Sequence, residues 1–246
     1  AIMSNHYQST DDAFVEGRII SVAPRVAGPV VNLLVDDNQP VKKGDLLLEI
    51  DPNDYQVKLD QAEAKLAEAK ARLNVSNHDV SKNTSDMHQA SDDRVSAMSK
   101  LDFAQKDYKR YDDMYKTGVV SKQDYDRSSK DLDVSKANYQ SASNRTKAMK
   151  SELDSSIAKT QTVQAEIQRL EAEVEQAKLN LSYTKIYAPS DGLIASRSVE
   201  QGNYVQTGQP LLAVVPRRVW VVANFKEGQL THMHPGQRVW VKVDTY

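Results

Sequence analysis

The chain has 246 residues, of which 39% are hydrophobic and 27% charged, with a mean hydropathy of -0.61 and a formal net charge of -2. Lys plus Arg (32) nearly balance Asp plus Glu (34) and no long run of one sign occurs, so neither a nucleic-acid face nor a polybasic lipid patch is indicated. Cysteine is absent, which removes disulfides, thiolate chemistry and Cys-ligated zinc. No apolar run approaches the roughly 18 to 20 residues of a membrane-spanning helix, and the hydropathy implies less core than this length could hold, hence an elongated molecule.

The segment "AFVEGRIISV" (13–22) predicts a strand, and a β-phrase ending in "VKKGDLLLEIDP" (41–52) follows it. From residue 53 to 188 there is no proline and a single glycine, Gly118, whereas the flanks hold all eight prolines and the other eight glycines. That shift marks domain boundaries. Asp51 predicts a helix N-cap, with Pro52 at the first helical position and Asp54 in an acidic first turn, and "YAPSDG" (187–192) predicts the stop.

Between these signals, steps of 3 and 4 residues from Leu59 to Tyr115 meet seventeen positions, fourteen of them apolar or tyrosine. The same steps from Tyr125 to Thr184 meet eighteen, with twelve matches and a weaker middle. A sustained 3.5-residue repeat predicts left-handed supercoiling against a partner helix. The nearest partner is the other arm. About 64 residues lie on each side of the "TGVVS" break at 117–121, so a fold-back pairs the arms over roughly 95 Å, with Gly118 at the turn and Ser121 and Asp124 as a capping box. The expected base of this hairpin lies near residues 56 and 181. Its Ala- and Ser-rich seam predicts modest stability.

After the helices the β-phrase returns as "VQTGQPLLAVVP" (205–216). With a one-residue gap that places Pro24 opposite Pro189, the two copies match at a constant offset of 164, pairing Gly28, Val30, Val41, Gly44, Leu47 and Leu48 with Gly192, Ile194, Val205, Gly208, Leu211 and Leu212. Neither copy has enough apolar surface to fold alone, so the two are expected to form one sandwich with Val41, Leu47, Val205 and Leu211 in its core. "RVWVVANFKEGQL" and "QRVWVKVDTY" (218–246) predict strands that join residues 13–22 in a second β-unit.

The stretches "VAPRVAGPVVNLLVDDNQPVKKGDLLLEIDPNDY", "YAPSDGLIASRSVEQGNYVQTGQPLLAVVP" and "VWVVANFKEGQLTHMHPGQRVWVKVD", in this order, resemble the HlyD family of periplasmic adaptor (membrane fusion) proteins, and its EmrA-like branch in particular. The resemblance implies an α+β fold: a long antiparallel coiled-coil hairpin (52–185) inserted into a split lipoyl-like β-sandwich (23–51 and 186–216), beside an incomplete β-barrel (1–22 and 217–246). It implies a multidrug-efflux adaptor in the periplasm, held at the inner membrane by an N-terminal segment absent from this chain. The implied partners are an inner-membrane transporter of the major-facilitator type, a TolC-like outer-membrane channel, and further copies of the chain in a trimeric or hexameric ring. No cofactor and no nucleic acid are implied. The family's docking pattern of Arg, Leu and Ser, spaced four and then seven residues at the hairpin tip, falls on Arg110, Met114 and Ser121 around Gly118, with Met in place of Leu. The same residues also read as a solvated helix charge, an apolar filler and an N-cap.

Rival readings differ in class. A HlyD-type adaptor for type I protein secretion shares every motif. A biotin or lipoyl carrier needs its modified Lys on a tight turn between the halves, where this chain has helix, and "AMK" (148–150) is expected mid-helix. A purely structural tether explains the heptads but not the split β-phrase. His232 and His234 lack a third ligand nearby, and His78 and His88 are ten residues apart, off the i, i+4 spacing that would share a metal. No phosphate loop or nucleophile elbow occurs, so no enzyme is expected.

Overall fold

A computed structural model describes residues 8–242, except for the side chain of His232. The chain divides into two compact units: the flanks up to Tyr55 and from Leu179 form one, and Gln56–Lys178 forms the other.

Among its described residues the first unit contains ten strands: β1 (Ala13–Gly17), β2 (Ile20–Val22), β3 (Gly28–Leu33), β4 (Pro40–Val41), β5 (Leu46–Ile50), β6 (Lys185–Tyr187), β7 (Gly192–Arg197), β8 (Tyr204–Val205), β9 (Leu212–Val215) and β10 (Val219–Ala223). Eight of them make two four-stranded sheets, ordered β2-β9-β7-β4 and β6-β5-β3-β8. Each sheet therefore has a central pair from one copy of the β-phrase and both edges from the other. The halves are interleaved, which is why neither can fold alone. Between the sheets, Leu47, Leu48, Ile50, Ile194, Leu211 and Val214 are completely buried, and Val41 and Val205 join the same core.

The pseudo-twofold extends to single hydrogen bonds. Gly44 donates to the Ala188 carbonyl and Gly208 to that of Pro24, both at 2.9 Å; Leu34 donates to Leu47 and Ser198 to Leu211, again both at 2.9 Å. These pairs correct the expected alignment. Pro24 matches Ala188, not Pro189, and the offset of 164 runs without a gap back to Ile20, because the Val22–Leu212 register pair repeats as Ile186–Leu48. Asn38, at φ 62, occupies the left-handed position that Gly202 holds in the other half, at φ 88.

Two further expectations are corrected. Ile20–Val22, assigned to the outer β-unit, pairs with β9 inside the sandwich. In the outer ribbon β1 pairs with β10 alone among the described residues, residues 227–232 form a 3-10 turn, and no strand forms over 237–242; the remainder of the expected "QRVWVKVDTY" strand lies outside the described residues. A strand persists only where a neighbouring ladder takes its N–H and C=O groups, and none lies beside this segment among those residues.

The second unit is built from two helices, α1 (Asn53–Lys116) and α2 (Lys122–Ser182), whose ends reach into the first. Asp51 accepts the Asn53 N–H at 3.0 Å, as an N-cap does for its second helical residue. The chain leaves the sandwich from β5 and re-enters at β6, and these strands are antiparallel neighbours. Cross-helix contacts run Lys65–Glu173, Arg72–Glu166, Ser76–Thr160, Thr146–Ala90 and Tyr108–Tyr125. Partner numbers fall as α1 numbers rise, so the helices are antiparallel. Every fully buried residue of either helix lies on the seam that the 3.5-residue steps predict. Apolar clusters hold the seam, among them one around Ala69, Ile167 and Leu170 and one around Leu101, Ala104 and Leu132. Between them the packing turns polar, with the Ser76 and Thr160 hydroxyls 2.6 Å apart and Thr146 donating to the Ala90 carbonyl at 2.9 Å.

Candidate docking tip of the helical hairpin

The turn is closed from both sides by backbone chemistry. At the end of α1, Gly118 (φ 73) donates to the Tyr115 carbonyl at 3.1 Å and Val119 donates to that of Met114 at 2.9 Å. This is a Schellman closure, with glycine where a left-handed residue is required. At the start of α2, the Ser121 hydroxyl accepts the Asp124 N–H at 3.2 Å and donates to the Asp124 carboxylate at 2.6 Å. The carboxylate thus binds the cap hydroxyl, the short-armed counterpart of a Glu capping box.

Immediately below the turn three tyrosines tie the arms together. Tyr115 stacks on Tyr125 with centroids 4.9 Å apart, and the Tyr125 and Tyr108 hydroxyls lie 3.1 Å apart. That bond, followed by the charges nearby, pushes the Tyr125 hydroxyl up to about 12. On the exposed surface Lys116 pairs with Asp112, which raises the lysine above its ordinary range. Sequence reasoning placed these tyrosines on the seam without foreseeing their mutual contact.

The tip residues share this end of the hairpin, each already engaged locally. Arg110 is exposed, pairs with Asp107 one turn back and lies 5.7 Å over the Tyr111 ring. Met114 is half-buried, and Ser121 serves as the cap. The surface extends beyond the predicted trio. Phe103 is 69% exposed and lines a groove of about 540 Å³ with Lys100 and Asp107 of α1 and Ser128 and Asp131 of α2. The sequence signal for it is an aromatic residue off the heptad seam. Elsewhere, Lys150 of "AMK" is an exposed residue within α2, away from any strand turn. Among the described residues no three His, Asp or Glu converge into a metal cage, and no helix is long and apolar enough to cross a membrane.

The family model described as "RND MFP, barrel-sandwich hybrid domain" matches residues 18–217. The chain belongs to the membrane fusion protein family. Within it, the chain is 37% identical over 241 residues to the colistin resistance protein EmrA of Acinetobacter baumannii, covering 98% of this chain and 68% of that one. It is 33% identical to the fatty acid resistance protein FarA of Neisseria gonorrhoeae (96% and 58%) and 28% identical to the multidrug export protein EmrA of Escherichia coli K12 (100% and 60%). The chain thus spans about three fifths of the length of several of these membrane fusion proteins. Among solved structures it is similar to the periplasmic adaptor protein EmrA, with 20% identity, a TM-score of 0.49, and coverage of 96% of this chain and 84% of that one. Similarity to MacA from Actinobacillus actinomycetemcomitans gives 25% identity, a TM-score of 0.48, and coverage of 91% and 62%.

Proposed function

We propose that this chain is the periplasmic adaptor subunit of a tripartite drug-export assembly, held at the inner membrane. In that assembly it links an inner-membrane transporter of the major-facilitator type to a TolC-like outer-membrane channel. The observation that carries the reading is the hairpin: arms of about 90 Å close in a doubly capped turn that exposes Val119, with Arg110 exposed about two helical turns below it. A rigid arm with a structured tip suits docking, because little conformational freedom is lost on contact. Similarity to a colistin resistance protein and a multidrug export protein supports small-molecule export.

One hairpin cannot enclose a conduit, so the subunit works as a trimeric or hexameric ring, in which a weak tip contact gains strength through repetition. The groove beside Phe103 suits a second copy of the hairpin, since it joins an exposed ring to charges of both signs. At the channel, Arg110 gives up Asp107 for a carbonyl or carboxylate, and Met114 enters an apolar notch.

The test is export of a toxic small molecule by cells carrying Arg110→Gln or Arg110→Asp. Arg110→Asp abolishes export at normal expression and helix content, because the clash recurs at every copy, and Arg110→Gln reduces it less. Wild-type export by both variants contradicts the tip reading.

A further inference from the structure

Strands β2 and β6 end the two separate sheets, and both line one groove of about 410 Å³, within the roughly 300–1,000 Å³ typical of small-molecule sites. An exposed sheet edge is ordinarily blunted, because its free N–H and C=O groups recruit other chains. Here two edges open onto a shared cleft.

The cleft is symmetric in backbone and asymmetric in chemistry. At the offset of 164 its walls put Ser21 in register with Lys185, Val22 with Ile186, Ala23 with Tyr187 and Arg25 with Pro189. The floor keeps the symmetry, since Val22 and Ile186 both belong to the sandwich core. The rim departs from it. Core formation places no demand on the rim, yet that is where the copies diverge into Arg25, Lys185 and Tyr187. The lining includes two cations and no Asp or Glu. Arg25 lies 4.9 Å over the Tyr183 ring and donates to its hydroxyl at 3.2 Å, so a neutral partner positions the guanidinium without cancelling its charge. Lys185 meets Glu49 only at 3.9 Å.

We propose that this groove binds an amphipathic organic anion, a medium-chain alkyl or aryl carboxylate or sulfonate. The head group lies between Arg25 and Lys185, where a planar guanidinium matches a carboxylate in geometry as well as charge. The apolar body covers Val22, Ile186 and the Tyr187 ring. Neutral amphiphiles of the same length lose the head contact, and cationic ones are repelled. The site lies within the β-unit and stands independently of the hairpin-tip reading.

The experiment titrates the chain with decanoate, decanol and decyltrimethylammonium, each below its micelle concentration, by calorimetry and amide chemical shifts. The expected result is saturable decanoate binding that shifts amides in β2 and β6. It weakens at least tenfold in Arg25→Gln and at least threefold in Lys185→Gln, and is lost in Ser21→Trp, which fills the groove from an exposed position without touching the charges. Melting of each variant is compared with wild type, and Lys185→Gln and Ser21→Trp decide the matter if Arg25→Gln fails to fold. Absence of saturable decanoate binding, equal affinity for the cationic amphiphile, or wild-type affinity in the natively melting variants overturns the proposal.

Discussion

At Gly192 a side chain has nowhere to go: a Cβ there would stand 2.4 Å from the Val215 carbonyl oxygen, a backbone atom of the neighbouring strand. Gly118 is the opposite case, with open space around it and a left-handed φ of 73. Gly192→Ala is therefore expected to cost about 1–3 kcal/mol through overpacking. Gly118→Ala costs about 1–2 kcal/mol through backbone strain. Amide exchange separates them, because the first variant loses protection at Val214 and the second along α1 and α2 beside the turn. Gly118 was legible in the sequence as the lone glycine of the helical stretch, whereas the role of Gly192 depends on a strand that arrives twenty residues later. Tyr125 supplies a pH prediction. Its folded-state value, about 12, lies above the unfolded value near 10, so the fold favours the protonated phenol. The associated stability is fully present below pH 10 and is lost as pH rises toward 12. Ultraviolet titration should show one tyrosine ionising last, and Tyr108→Phe, which removes the hydroxyl bond, should bring it down.

At the scale of elements, the interleaving of the two β-phrases makes each half the scaffold of the other. Leu47 and Leu211 occupy equivalent, fully buried positions at the offset of 164. Leu47→Asp and Leu211→Asp should each unfold the sandwich, since an unpaired buried carboxylate costs several kcal/mol. Circular dichroism would then show the β-signal lost, and native melting by either variant would contradict the shared core. Most of this was readable beforehand. The 3.5-residue steps found the helical seam in phase from end to end, with only Tyr115 exposed among their positions, because a hairpin that buries one stripe must repeat it at every turn. The β-repeat was readable through Val30, Val41, Leu47 and their counterparts. Its beginning was misjudged because Pro24 and Pro189 share an identity, whereas ladder register follows hydrogen bonding and puts Pro24 opposite Ala188. The tip trio was legible as a spacing, but not the Asp107 partner of Arg110 or the groove beside Phe103, which depend on how the two helices meet.

For the whole molecule, family membership and a capped, exposed hairpin tip support the adaptor role proposed above, in which the tip meets an outer-membrane channel. That reading makes the two ends of the hairpin differ in their neighbours. Val119 is an exposed apolar residue at the turn, and Val57, near the start of α1, is exposed as well. Neither is a core position, so a photo-crosslinking residue at either site leaves the fold intact. The most direct measurement is crosslinking in living cells that carry the complete export system, with the adducts identified by mass. The account predicts an adduct between position 119 and an outer-membrane channel, and none with that channel from position 57. Export at the wild-type rate with no channel adduct from position 119, or with the channel captured from position 57 alone, would contradict it.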